Sequence, residues 1–271
     1  MITRIITIRP YQDYITSLKT NPSTCAPFPE HPETFEEKIE KWLESPDHRA
    51  FAVVRDDHLL GLFVFLIIES DRYLELLAGI SDNADAYEEM LHFLEENYRT
   101  WHADFVFNPV NQSLTSVLHK RNADFDSEQQ KMRLTQLPPK TDTAGVTLFS
   151  DCWKAPYISM HSKDVYWTGE RIVEAQDRFR IFLATDNDTV VGYLDITKDM
   201  GENDIFDFLV KEEYRRKGYG RKLLAKAIEM NQPNGMILEV NVDNTAAISL
   251  YQSMGFEVVP GRNTITAGWD I

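Results

Sequence analysis

The sequence predicts an α/β protein built from two similar halves, and three observations carry that expectation. Apolar strand-like runs alternate along the chain with stretches whose apolar residues recur at helical spacing. Two segments share a hairpin pattern: Phe51 to Phe63 reads FAVVRDDHLLGLF and Phe182 to Leu194 reads FLATDNDTVVGYL, each with a glycine ten residues after its phenylalanine. Their separation of 131 residues also brings Phe125, in RNADF, onto Phe256, in SMGF, so the register persists far beyond the hairpin. A boundary is expected at Leu137-Pro-Pro-Lys-Thr-Asp-Thr, where proline and small polar residues interrupt the pattern, giving domains 1–137 and 138–271.

Within the first half, Phe35, Ile39, Trp42 and Leu43 mark an amphipathic helix stopped by Pro46. Tyr87, Leu91, Leu94 and Tyr98 mark another behind the start signal Ser81-Asp82-Asn83, and Ala103 to Phe107 reads as a strand. In the second half, Ile205 to Val210 and Met236 to Val242 read as strands, with Leu223, Leu224, Ala227 and Ile228 forming a helix face between them. A last helix, Asn244 to Met254, ends at Gly255.

Composition narrows the function classes. Apolar residues make up 43% of 271, enough for buried cores, and 28 basic against 43 acidic residues give a net charge of −15. Such a balance argues against nucleic acid or an anionic membrane as partner. No secretion signal is legible in MITRIITIRP, and the apolar run Leu59 to Ile68 is too short to span a bilayer, so a cytoplasmic location is expected. Cys25 and Cys152 stand far apart and the seven histidines are scattered, which predicts neither a disulfide nor a metal site.

One segment breaks the acidic trend. From Lys211 to Lys226 seven basic residues face only Glu212 and Glu213. Gly218 and Gly220 sit among them, directly before a helix whose free N–H groups and positive dipole end would meet an anion there. The order of strand, basic glycine turn and helix describes a pyrophosphate cradle. A dinucleotide fingerprint would need glycine where Leu223 stands, and a P-loop is absent.

Arg215-x-x-Gly218-x-Gly220 resembles the R/Q-x-x-G-x-G/A signature of the GCN5-related N-acetyltransferase (GNAT) family, and Asn244-x-x-Ala247-x-x-Leu250-Tyr251-x-x-x-Gly255-Phe256 is similar to that family's motif on the next helix. The resemblance covers roughly Val146 to Ile271. It implies a mixed, mostly antiparallel sheet flanked by helices, with two central strands splayed to admit acetyl-coenzyme A. Leu209 and Val210 would pair with the pantetheine arm. Arg215, Arg216, Lys217, Gly218, Tyr219, Gly220 and Arg221 would hold the phosphates, Asn244 would hydrogen-bond the cofactor, and Tyr251 would lie beside the sulfur.

The implied reaction is direct acetyl transfer to the primary amine of a small molecule, polarised by a free main-chain N–H where the strands part, with Tyr251 protonating the thiolate and Asp204 as base. Asp207 and Glu202 compete for the last role, and strand alternation places Asp204 and Asp207 on opposite faces. Glu239 reads as a cross-strand pairing residue. Trp153, Tyr157, His161, Tyr166, Trp167 and Glu170 are candidates for an acceptor site suited to a cation. A non-catalytic acetyl-CoA-binding regulatory module is the alternative reading, and a homodimer is compatible with either.

Shifting Arg215 to Gly220 back by 131 residues gives Ala84-Asp85-Ala86-Tyr87-Glu88-Glu89, three acids without a glycine. In Asn111-x-x-Leu114-x-x-Val117-Leu118, leucine stands where the tyrosine should be. The first half therefore reads as a degenerate GNAT-like domain that binds no cofactor.

Overall fold

A computed structural model describes residues 1–163 and 167–271. In chain order the elements are β1 (Ile2–Ile5), α1 (Gln12–Leu18), β2 (Cys25–Ala26), α2 (Phe35–Trp42), β3 (His48–Arg55), β4 (His58–Ile68), β5 (Tyr73–Ile80), α3 (Ala84–Asn97), β6 (His102–Phe107), α4 (Gln112–Lys120), β7 (Asp124–Phe125) and β8 (Gln129–Leu134). There follow β9 (Val146–Leu148), α5 (Lys154–Ile158), α6 (Gly169–Glu174), β10 (Phe179–Asp186), β11 (Thr189–Thr197), β12 (Glu202–Val210), α7 (Tyr219–Asn231), β13 (Gly235–Asn241), α8 (Thr245–Ser253), β14 (Phe256–Val258) and β15 (Ile265–Asp270). Strands β3 and β10 both carry the predicted hairpin segments into antiparallel pairs with β4 and β11.

Two compact units result, Met1–Gln129 with Pro260–Ile271, and Gln130–Val259. This differs from a cut at residue 137. Strand β8 joins the second sheet, where Phe256 to Val258 pair with Leu134 to Met132, while β15 returns to the first sheet against β6, Ile265 opposite Phe107. Pairings so distant in sequence leave no local signal at a proline-rich boundary.

The first unit's sheet runs β1-β3-β4-β5-β6-β15-β7, with β2 added on β5. Its two faces are covered by separate apolar clusters, one including Phe63, Tyr87 and Leu118, the other Ile15, Ile39 and Val64. The second unit's sheet runs β14-β8-β13-β12-β11-β10-β9. One face packs Val191, Leu194, Ile196 and Ile205 against Leu223, Leu224 and Ala227 of α7; the other packs Tyr193, Ile181 and Leu183 with Tyr157 of α5 and Ile172 of α6. Burial on both faces explains why these strands are continuous apolar runs.

Candidate functional site

The site forms where β12 and β13 part. These parallel strands pair only from Glu202 opposite Gly235 to Ile205 opposite Leu238, although β12 runs on to Val210 and β13 to Asn241. On its other edge β12 stays paired with β11 as far as Val210 opposite Gly192. The parting coincides with a bulge, since Asp195 pairs with Asp207 and Ile196 with Ile205, leaving Phe206 without an opposite residue. The expected splay is present, and from Phe206 to Val210 the second edge of β12 meets no described strand.

The bulge also resets the side-chain alternation. Cross-strand partners share a face, so Ile205 lies with Ile196 toward α7, and Asp207 lies with Asp195 on the opposite side. Asp204, next to Ile205, therefore faces the same way as Asp207. Uninterrupted alternation had predicted opposite faces, and the extra residue Phe206 is the reason it does not hold.

Beyond β12 the chain makes an eight-residue turn into α7. Arg216 has φ +62° and Gly218 φ +90°, and Gly218 forms the N-cap of α7 without any side-chain cap. A Cβ at Gly218 would meet nothing within 4 Å, so its conformation and not crowding calls for glycine. Gly220 differs: a Cβ there would stand 3.1 Å from Leu250 Cδ2 and 3.3 Å from Phe208 Cζ, so a larger residue would require those side chains to shift. An uncapped helix start behind a left-handed glycine leaves main-chain N–H groups for an anion, which fits the diphosphate of coenzyme A.

The basic side chains divide. Arg215 Nε donates to the Val210 carbonyl at 3.1 Å, and Lys217 Nζ lies 4.8 Å from the Tyr214 ring centre. Arg221 is turned to the end of α8, donating to Ser253 Oγ at 2.8 Å. Burial and then the neighbouring Asp186 raise the Tyr219 hydroxyl. Leu209 and Val210 are half-buried at the end of β12. The Phe208 N–H, in the opened stretch, donates to Asp207 Oδ1 at 2.8 Å.

Asn244 is the N-cap of α8, its Oδ1 accepting from the Ala247 N–H at 3.1 Å. Capping thus engages the amide oxygen of Asn244. Tyr251 is buried at 7% exposure between the rings of Phe208 and Phe256. Burial, with the nearby Asp207 charge, raises its hydroxyl well above the usual phenol range. Asp204 is pushed up to about 6, first by burial and then by Glu239, while Lys131 opposes the shift. Glu239 on β13 is thus an acid across the strand pair from Asp204. Glu202 is held by Arg133, with Nε donating to Oε1 at 2.6 Å.

On the α5–α6 face lies a polar cluster that the scattered histidines did not foretell. The Tyr157 hydroxyl donates to Asp195 Oδ2 at 2.8 Å, and the Tyr193 hydroxyl to Asp207 Oδ2 at 2.7 Å. His161 stacks on Tyr193 at 4.2 Å, with Nε2 3.5 Å from Asp195 and Nδ1 3.5 Å from Asp207. One ligand atom each from His161, Asp195 and Asp207 falls within 4.8 Å of the others. The imidazole turns a different nitrogen to each carboxylate and is wedged between the two, with Nε2 making no hydrogen bond. Burial holds Asp195 well above the carboxylate range and His161 below its ordinary value.

The expected acceptor residues are thereby sorted. Tyr157 and His161 are buried in the cluster, Trp153 and Trp167 are half-buried, and Glu170 is exposed. Tyr166 lies outside the described residues.

The first unit repeats the design with its wedge filled. Strands β5 and β6 pair only from Tyr73 opposite His102 to Glu75 opposite Asp104, and Leu77 is bulged against β4. On the edge that β6 vacates, Cys25 and Ala26 of β2 pair with Ile80 and Gly79. Only three residues join β5 to α3, and Asn83 caps that helix by accepting from the Asp85 N–H at 2.8 Å. Thus Ala84 to Glu89 are the first turns of α3, not a rewritten phosphate turn: the turn itself is shortened.

A splayed parallel pair followed by an uncapped glycine turn defines an α/β class in which an opened sheet edge ends at a helix start able to receive an anion. The chain belongs to the GNAT family: residues 145–256 match the description "Acetyltransferase (GNAT) family". Its class is accordingly that of an acyltransferase. It is 30% identical over 111 residues to the [ribosomal protein bS18]-alanine N-acetyltransferase of Escherichia coli K12, covering 40% of this chain and 75% of that protein. An uncharacterized Mycobacterium leprae protein is 40% identical over 75 residues, which are 26% of this chain and 21% of its own length. In fold, the chain resembles a GCN5-related N-acetyltransferase from Sphaerobacter thermophilus, with TM-score 0.63, 15% identity and 88% and 86% of the two chains covered. It also resembles a tandem GNAT protein from the clavulanic acid biosynthesis pathway, with TM-score 0.52, 13% identity and 99% and 97% covered, so the amino-terminal unit has the shape of a second GNAT-like fold. No helix among the described residues is long and apolar enough to cross a membrane.

Proposed function

We propose that the second unit transfers acetyl from acetyl-CoA to a primary amine, and that the first unit binds no cofactor. The observation that carries this reading is the opened edge of β12 leading into the uncapped, left-handed turn at Gly218. Acetyl-CoA supplies an activated thioester. Main-chain groups of Leu209 and Val210 line its pantetheine arm, and N–H groups from Arg216 to Arg221 meet the diphosphate, with Arg215, Lys217 and Tyr219 around them. Asn244 retains its amide N–H₂ for the cofactor.

Asp204 takes a proton from the acceptor's ammonium group, directly or through water. The freed amine attacks the carbonyl and a C–N bond forms as the C–S bond breaks; the Tyr251 hydroxyl would protonate the departing thiolate and be restored by the surplus proton that the new amide nitrogen loses, while Asp204 releases the proton it took to water. A carboxyl at about 6 suits a base working near neutrality, and a phenol held above its usual range stays protonated until the thiolate forms.

For the acceptor, the similarity to an alanine N-acetyltransferase favours the α-amine of a polypeptide, while a small-molecule amine is the second reading, favoured by the aromatic and acidic face around Asp207. The test is thiol release from acetyl-CoA across a panel of alanine-initiated peptides and small amines. Transfer to any member supports the reading. Coenzyme A binding without transfer anywhere in the panel would favour a regulatory module.

A further inference from the structure

Asp207 is a carboxylate held from behind and open in front. Its Oδ2 receives the Tyr193 hydroxyl at 2.7 Å, its Oδ1 receives the Phe208 N–H at 2.8 Å, and His161 Nδ1 stands 3.5 Å away. Two oxygens offer roughly four acceptor positions, so capacity remains, and the side chain is 41% exposed. The holding groups are themselves fixed. His161 is 2% exposed, is stacked on Tyr193, and is seated against Gly169, where a Cβ would come within 2.9 Å of its Cδ2. Its Nε2 and Asp195 Oδ1 are buried without a hydrogen-bond partner, a cost that a framework serving packing alone would gain nothing from keeping.

Position gives this carboxylate a task. It stands at the bulge where β12 leaves β13, near enough to Tyr251 for its charge to act on that hydroxyl. Beside it Phe206 is 44% exposed, its ring 5.6 Å from Phe179, which in turn lies 5.0 Å from Trp167. An anion next to an exposed aromatic ring is complementary to a cation carried on an apolar body.

We infer that Asp207, positioned by Tyr193 and His161, anchors the acceptor as its ammonium ion, and that Phe206 selects acceptors whose amine is borne on an apolar group. This rests on the acetyl-transfer reading above and adds the specificity of its acceptor side. Asp207 is the binding group; His161 and Tyr193 are positioning residues that act through it.

The experiment is steady-state transfer to three probes: 2-phenylethylamine and ethylamine, which are ammonium ions at neutral pH, and hydroxylamine, which is uncharged there. Asp207→Asn should raise KM for both ammonium probes at least tenfold and KM for hydroxylamine less than threefold, while any change in kcat that follows from its charge on Tyr251 is shared by all three probes. Tyr193→Phe and His161→Gln should move the same KM in the same direction by smaller factors. Phe206→Ser, an exposed change that spares the core, should penalise 2-phenylethylamine severalfold and ethylamine little. Equal rises in KM for charged and uncharged probes, or an unaltered KM in correctly folded Asp207→Asn, would overturn the anchor alone. A chain that takes up acetyl-CoA and transfers to none of the probes or the peptides would overturn the parent reading with it.

Discussion

The backbone of Gly255 lies against that of Gln136 so closely that a Cβ on Gly255 would stand 1.9 Å from the Gln136 carbonyl oxygen. Gly255 also has φ +90°, and its own carbonyl accepts the N–H groups of Thr135 and Gln136 at 3.0 and 3.2 Å. One glycine thus ends α8 and fastens β14 beside β8. Left-handed strain and overpacking together predict that Gly255→Ala costs roughly 3 kcal/mol of stability. Gly261→Ala, at φ +72° with open space around it, should cost only about 1 kcal/mol. Urea denaturation of both variants checks the pair; equal costs would show that the Gln136 contact does not matter.

Tyr251→Phe removes the proposed proton donor while leaving its ring between Phe208 and Phe256. Turnover should fall about 10²- to 10⁴-fold, the range of a general acid, with acetyl-CoA affinity within about twofold of the wild type. Because the hydroxyl is held above its usual range, no alkaline loss of rate should arise from it below about pH 10. Unchanged turnover in the variant would remove Tyr251 from the chemistry.

Asp204 ties pH to rate and to stability with opposite signs. Its carboxyl must be ionised to act as base, so kcat/KM should rise as pH climbs through about 6. Stability runs the other way. The folded carboxyl holds its proton more tightly than the unfolded one at 3.8, so its contribution is intact below about 4 and is lost as pH rises through about 6. Asp204→Asn should abolish the acid limb, lower kcat/KM about 100-fold, and flatten the stability profile over that window. An acid limb that survives in Asp204→Asn would pass the role of base to a neighbour such as Glu239.

How much of this was legible depends on the range of the physics involved. Gly218 was readable because a glycine turn before a helix is a local demand, and so was the helix start at Asn83, whereas Asn244 was read for a cofactor bond and not for the cap it forms. The repeat at 131 residues held for β3 onto β10, but the longer turn before α7 carries the later elements out of step, which misplaced Arg215 to Gly220 onto α3. The bulge at Phe206 depends on how β11 and β12 pair and has no signature in either strand alone, so Asp204 and Asp207 were assigned opposite faces. The same holds for β15, whose partner β6 is more than 150 residues away, and for the convergence of His161, Asp195 and Asp207.

Strand β2 makes a separate prediction about binding stoichiometry. Cys25 and Ala26 occupy the edge of β5 that corresponds to the opened edge of β12, and α3 starts with a capped, acidic turn. Calorimetric titration with coenzyme A should therefore saturate at one molecule per chain. A second equivalent would mean that β2 yields its place.

The most direct test of the central claim is that titration repeated on Gly218→Val, whose side chain has room but whose backbone disfavours φ +90°. Loss of about 100-fold or more in affinity, with an unchanged circular dichroism spectrum, is the predicted result. Wild-type affinity in the variant would contradict the assignment of the turn before α7 as the diphosphate cradle.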